Sequence, residues 1–227
     1  MQLKIPVLFT VILFCIGLTG LQAQTMSDID GNVYKTVTIG KQVWMKENLK
    51  TTKYNDGKAI PLVKDDMAWK ALTTAAYCWN NNDEKANKNK YGALYNWYTV
   101  NTNKLCPKGW HIPTDAEWTE LTTYLGGESV AGGKLKEKGT THWESPNTGA
   151  NNESGFTALS SGARNYAGSF DIAGSNALYF RSNGYWWSST ELYTFNAYYR
   201  RLYSSLSDIY KSLSVKQYGY SVRCLRD

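Results

Sequence analysis

The chain has 227 residues, a formal net charge of +6 and 14% aromatic residues, among them 9 Trp and 17 Tyr. Its 25 Lys and Arg are interspersed with 19 Asp and Glu rather than blocked, which argues against a nucleic-acid-binding stripe and for an ordinary solvated surface. The aromatic content exceeds what a small core demands, and Tyr and Trp are the residues favoured at binding surfaces.

Residues 1–23 read as a secretion signal: Lys4 supplies the positive end, Val7 to Leu18 is almost wholly apolar, and Leu21-Gln22-Ala23 places a small residue before a cut. A lipid anchor on Cys15 is the rival, set back by the bulky Phe14 before it. The apolar run is too short for a bilayer and no later run is long enough, so no membrane span is expected. Residues 24–227 are expected to form a single domain. Asp28 to Asn32, then Tyr34–Ile39 and Val43–Met45 around Gly40-Lys41, predict an N-terminal hairpin. The DIDGN run also mimics the start of a calcium-binding loop, but Ile39 stands where the bidentate Glu belongs. Asp65 to Ala76 predicts a helix with Met67, Ala71, Leu72 and Ala75 on one face. Asn80 to Lys90 is predicted as a polar surface loop, and Tyr91 to Val100 as a buried segment, strand or short helix.

A helix from Asp115 to Leu125 is predicted by the capping box of Thr114 and Glu117, by Trp118, Leu121 and Leu125 at helical spacing, and by Gly126-Gly127 after it. Ser129 to Lys138 suggests another helix, weakened by Gly132-Gly133. From Gly155 onward the runs GFTALSSGAR, GYWWSST, FNAYYRRLY, SLSVK and GYSVRCLRD predict antiparallel strands, giving an α+β domain with its helices mainly in the middle. Of the 4 Cys, Cys15 leaves with the leader. Cys224 alternates with Tyr220 and Val222 on one face of the last strand, so it points inward, where Cys106 can meet it. A Cys106–Cys224 disulfide is expected, with Cys78 either free or competing for Cys224. Export to the periplasm, the cell surface or the medium is expected with it. Trp110, Trp118, Phe156 and Val222 are the expected core.

Taken in order, YGALYNWYTV (91–100), CPKGWHIPTDAEW (106–118), WWSST (186–190) and GYSVRCLRD (219–227) make the chain resemble the Fibrobacter succinogenes major paralogous domain family, from about Asp28 to the last residue. The resemblance implies a C-type lectin-like fold, with HIPTDAEW similar to the RLPTEAEW element of formylglycine-generating enzyme relatives. It implies architecture and secretion rather than an activity.

Sugar-binding C-type lectins place calcium on a Glu-Pro-Asn and a Trp-Asn-Asp triplet, because Ca²⁺ takes several carboxylate and amide oxygens. Glu144-Ser145-Pro146-Asn147 and Trp79-Asn80-Asn81-Asn82-Asp83 depart from both patterns, and neither role carries over. Asn147, Asn151, Asn152 and Glu153 suit the capping of turns better than an ion, so no cofactor is expected and Ca²⁺ stays an alternative. A copper-holding cysteine pair is missing near the end of the chain, and His111 and His142 are too few for a His-rich metal centre. His111 is expected to be packed and hydrogen-bonded, and no catalytic residue is assigned. What remains is the aromatic and basic C-terminal region. Trp186, Trp187, Tyr198, Tyr199, Arg200, Tyr203 and Tyr210 are the candidate ligand-binding residues, with Tyr193 and Arg201 nearby. Strand alternation puts one Tyr and one Arg of residues 198–201 on each face, predicting at least one solvated face, and the resemblance points to this part of the chain as well. The competing possibility makes Trp186 and Trp187 core. The expected function is a secreted or cell-surface module binding a glycan or protein ligand. A carbohydrate-active or formylglycine-type enzyme, or a structural envelope component, is the alternative.

Overall fold

The computed structural model describes residues 24–170 and 179–227. The leader expected over residues 1–23 lies outside the described residues. In chain order the elements are β1 (Thr25–Ser27), β2 (Val33–Ile39), β3 (Gln42–Met45), α1 (Asp66–Lys70), β4 (Tyr77–Cys78), α2 (Glu84–Tyr91), β5 (Leu94–Tyr95) and α3 (Trp97–Val100). Then follow β6 (Trp110–His111), α4 (Asp115–Tyr124), α5 (Glu128–Leu135), α6 (Tyr179–Ser182), β7 (Asn183–Tyr193), β8 (Asn196–Tyr203), β9 (Ile209–Val215) and β10 (Leu225–Arg226). The fold is mixed α+β and mostly β, with its strand ladders antiparallel.

The predicted hairpin is β2–β3, closed by the Ile39↔Gln42 pair. Asp28 organises its approach: one carboxylate accepts from the Asp30 and Asn32 amides and from the Tyr34 hydroxyl. The last strand, β10, lies between β3 and β6, so the end of the chain closes a sheet of order β1-β2-β3-β10-β6. Its approach is irregular, made of single bridges such as Tyr95↔Tyr220 rather than one long strand. The inward alternation nevertheless holds: Tyr220, Val222 and Cys224 all enter one core cluster. Cys224 is bonded there to Cys106, across a sequence separation of 118. Cys78 is free and buried.

The sheet β7-β8-β9 stands between two apolar clusters. Tyr185, Trp187, Ala197 and Tyr199 face one, with Trp79, Trp97 and the disulfide. Trp186, Leu202 and Ile209 face the other, with Trp44, Trp118, Trp143 and Phe156. Successive strand residues point to opposite faces, so a sheet covered on both sides buries both members of the Trp186-Trp187 pair. The expectation of at least one solvated face is therefore corrected around Trp186-Trp187 and Tyr199-Arg200, where both sides are covered.

Helix α4 carries the predicted capping box, with Thr114 accepting from the Glu117 amide and Glu117 from the Thr114 amide. Its Trp118 packs on Trp44, ring centroids 4.8 Å apart, and Phe156 meets both rings edge-on. The glycines of α5 serve a close approach. A Cβ on Gly132 would lie 2.1 Å from the Asp208 carbonyl oxygen, and one on Gly133 2.5 Å from that of Gly149.

Four expectations are corrected. The helix at 65–76 is only α1, held through Trp69 buried inward, while Met67 and Ala71 face solvent. The polar run 80–90 is not a loop: Asp83 caps α2 by accepting from the Ala86 amide, and the buried Asn87 donates to the Asn80 and Asp83 carbonyls. Residues 155–164 form isolated bridges instead of a strand. Trp110 is half-buried at the core's rim, whereas Trp118, Phe156 and Val222 are buried as expected. The open segment 91–100 holds β5 and then α3, whose cap is Asn96.

Candidate functional site

The seven candidate residues divide by strand parity and burial. Trp186 and Trp187 are core residues, their indole N–H groups donating to the Asn48 side chain at 2.9 Å and the Tyr95 carbonyl at 2.8 Å. Tyr199 is enclosed by Trp187, Tyr185 and Tyr220. Arg200 is 2% exposed, its guanidinium paired with Asp115 at 2.7 Å and donating to the Asp115 carbonyl and the Thr119 hydroxyl. These four are corrected: a helix start supplies the partner that lets Arg200 be buried, and the second apolar cluster covers the face once expected to be open. Tyr198 shares the Arg200 face and is half-buried under the Lys211 ammonium, 4.4 Å from the ring centroid.

Tyr203 and Tyr210 lie on the opposite face, beside the β8–β9 turn, and reach the surface although their neighbours Leu202 and Ile209 are core residues. Between them stands Arg201, directly opposite Tyr210 in the β8–β9 register. Its guanidinium lies 4.0 Å from the Tyr203 centroid and 5.0 Å from that of Tyr185, and it donates to the Asn183 side-chain oxygen at 3.0 Å. Tyr210 meets Tyr203 edge-on at 5.2 Å. Partial burial and the neighbouring Asp208 carboxylate raise the Tyr210 pKa, so its phenol remains a neutral donor and acceptor. Arg201 is the residue that sequence reasoning left out of the site. Its parity with Tyr199 and Tyr203 was the available signal.

The β8–β9 turn that carries these rings is pinned from below. The buried Lys136 ammonium donates to the carbonyls of Tyr203, Leu206 and Thr148 at 2.8–2.9 Å. The Gly133 amide donates to the Ser207 carbonyl at 2.8 Å. With no Cβ on Gly132 or Gly133, α5 sits close enough to hold the turn still.

The other sequence constellations resolve into structure. His111 bridges Asp227 at 2.7 Å and Glu117 at 2.9 Å. Burial draws its pKa down, but the hydrogen bonds from Asp227 and Glu117 outweigh it and raise the value. His142 binds the Glu137 carboxylate. Asn147 donates to the Glu137 and Gly139 carbonyls, Asn152 accepts from the Thr157 amide, and Asn151 from the Glu153 amide, so this loop uses its amides to cap turns. Asn80, Asn82 and Asp83 are likewise spent on backbone groups. Among the described residues no group of three or more His, Cys, Asp or Glu is placed to hold a metal ion. Cys78 is enclosed, and burial pushes its thiol up to about 12. No helix among the described residues is long and apolar enough to cross a membrane.

The model of the Fibrobacter succinogenes major domain matches residues 37–226, and the chain belongs to that family. No curated protein and no solved structure matches it.

Proposed function

We propose that this member of the Fibrobacter succinogenes major domain family is an exported binding module that holds a glycan on the surface formed by Tyr203, Arg201 and Tyr210. One observation carries the reading: a guanidinium stacked at 4.0 Å on Tyr203, with Tyr210 set edge-on beside it, where the β8–β9 turn brings both rings to the surface. Flat rings offer apolar area at low entropic cost, and the guanidinium adds directed donors for hydroxyl oxygens. The rigid turn beneath lowers the ordering cost of binding.

Export is supported by the leader-like residues 1–23 and by the Cys106–Cys224 bridge, since such bonds persist in oxidising compartments. A C-type lectin-like architecture is supported by the N-terminal hairpin, the central helices and the return of the last strand beside β3.

The test is a glycan array probed with residues 24–227, in calcium and in chelator. Specific signals that fall at least tenfold in Tyr203→Ala and Arg201→Ala, with Tyr124→Ala unchanged, are expected. Glycan signals indifferent to both substitutions would refute the assignment, as would a silent array accompanied by capture of a protein ligand.

A further inference from the structure

The signature Cys106–Trp118 leaves one aromatic residue unspent. Trp118 fills the core, but Trp110, on the edge strand β6, is half-buried and forms one wall of a cleft of about 230 Å³. The floor is apolar: Val100, Leu105, Ile112 and the Cys106 side of the disulfide. Asn103 and Ser189 stand on its lining, with His111 and Thr114. Of these polar groups, Thr114 is committed to Glu117 and His111 to its two carboxylates. The Trp110 indole N–H, the Asn103 side-chain amide and the Ser189 hydroxyl bond to no side chain or backbone group among the described residues.

We propose that this cleft is a binding site for a single uncharged pyranose ring, separate from the Tyr203 surface. A pyranose has one face of C–H groups and a periphery of hydroxyls. The apolar floor and the Trp110 ring match the face, and the three uncommitted polar groups match the periphery. The volume limits the ligand to one ring, because sites for drug-sized molecules run to roughly 300–1,000 Å³. Glu117 and Asp227 hold His111 at the cleft, and two carboxylates against a single imidazole disfavour an anionic sugar whether or not that ring is protonated. Trp110 was expected in the core; as a half-open wall it offers a π-face and a donor together, which a core tryptophan cannot.

The experiment follows the indole and side-chain amide signals of ¹⁵N-labelled residues 24–227 during titration with methyl glucoside, methyl galactoside, methyl mannoside, methyl glucuronide and cyclohexanol. Saturable millimolar shifts of the Trp110 and Asn103 signals are expected with at least one neutral glycoside. Affinity should fall several-fold in Ser189→Ala and with the glucuronide. The Asn103 shift should vanish in Trp110→Leu with an otherwise unchanged spectrum, and persist in Tyr203→Ala. Shifts equal in size for cyclohexanol, undiminished Asn103 shifts in Trp110→Leu, or no shift with any glycoside would overturn the assignment. Because Tyr203→Ala leaves this cleft whole, failure here and failure of the Tyr203 surface are separately visible.

Discussion

Replacing both Cys106 and Cys224 by Ala removes a cross-link that spans 118 positions, most of the described domain. In the chain-entropy model a loop of that length restricts the unfolded state by roughly 16 cal/mol/K, or about 5 kcal/mol at 25 °C. That is comparable to the whole stability of many domains, about 5–15 kcal/mol. For a chain of this size each kcal/mol moves the melting temperature by about 2–4 °C, so a fall of roughly 10–20 °C is expected. The sulfurs lie inside the cluster that also holds Met45, Leu49 and Val222, so the variant loses some packing as well. Paired thermal and urea melts of wild type and variant, with and without reductant, measure the difference. Reductant should bring the wild type down to the variant. A loss below about 1.5 kcal/mol would refute the loop-entropy argument. Peptide mapping under non-reducing conditions that joined Cys78 to either partner would refute the pairing itself. Native Cys78 should resist alkylation at pH 8, since burial holds its thiol pKa at about 12.

Asp115→Ala leaves the buried Arg200 and the neighbouring Lys211 without their shared carboxylate, and a loss of about 3 kcal/mol in urea melts is expected. Gly132→Ala drives a methyl against the Asp208 backbone and should cost about 1–3 kcal/mol or more, with the β8–β9 turn displaced and Tyr203-dependent binding weakened. His111 has a raised pKa, so its contribution is complete below the ordinary value of about 6.5 and disappears as pH rises through its higher folded value. Glu117 is held below its ordinary value, so its contribution is lost in the opposite direction, as pH falls through the acid range. Melting temperature against pH should slope at both ends, and His111→Gln should flatten the upper slope. The partly exposed pair limits that change to a fraction of a kcal/mol.

What the sequence made legible was local or terminal. The capping box of α4 needs only Thr114 and Glu117, and the hairpin only two short runs around Gly40-Lys41. The disulfide followed from alternation in the last nine residues. The burial of Trp186 and Trp187 was harder, because one strand with two covered faces shows no polar alternation. The run Asn183 to Trp187 is in fact buried at every position, a pattern open to a sheet packed on both sides. Helix α2 was hidden for a different reason. Its run EKANKNKY has almost no apolar stripe, and its fixed points are a cap at Asp83 and a buried amide at Asn87, which carry no periodic signal. Strand parity separates Arg200 from Arg201 without saying which is covered; the position of Asp115 in space and the second apolar cluster bury the first, while the second reaches the surface.

The irregular backbone of residues 155–164 and of the loops around it is held by buried cations. Those residues lack a ladder, so their backbone carbonyls need other partners. Arg223, fully buried, donates to the carbonyls of Phe156 and Thr157 and to the Asn48 side chain, tying the last segment to the first hairpin's exit. Arg164 does the same for Val63, Lys64 and Gly168 while pairing with Asp66 and lying over Trp69. Lys136 collects Thr148, Tyr203 and Leu206, and Lys216 joins the Thr194 carbonyl to Glu191. Arg223, Arg164 and Lys136 each satisfy two or three backbone carbonyls and Lys216 one, with charge-assisted bonds that are stronger than neutral pairs. Four of the chain's 25 Lys and Arg therefore face inward and hold irregular backbone. On this account Lys136→Met should loosen the turn beneath Tyr203 and Tyr210, raising amide exchange at Ser204–Asp208, while the α4 cluster around Trp118 keeps its protection. Exchange that rose equally in both places would mean that Lys136 supports the whole fold and has no particular hold on the proposed binding surface.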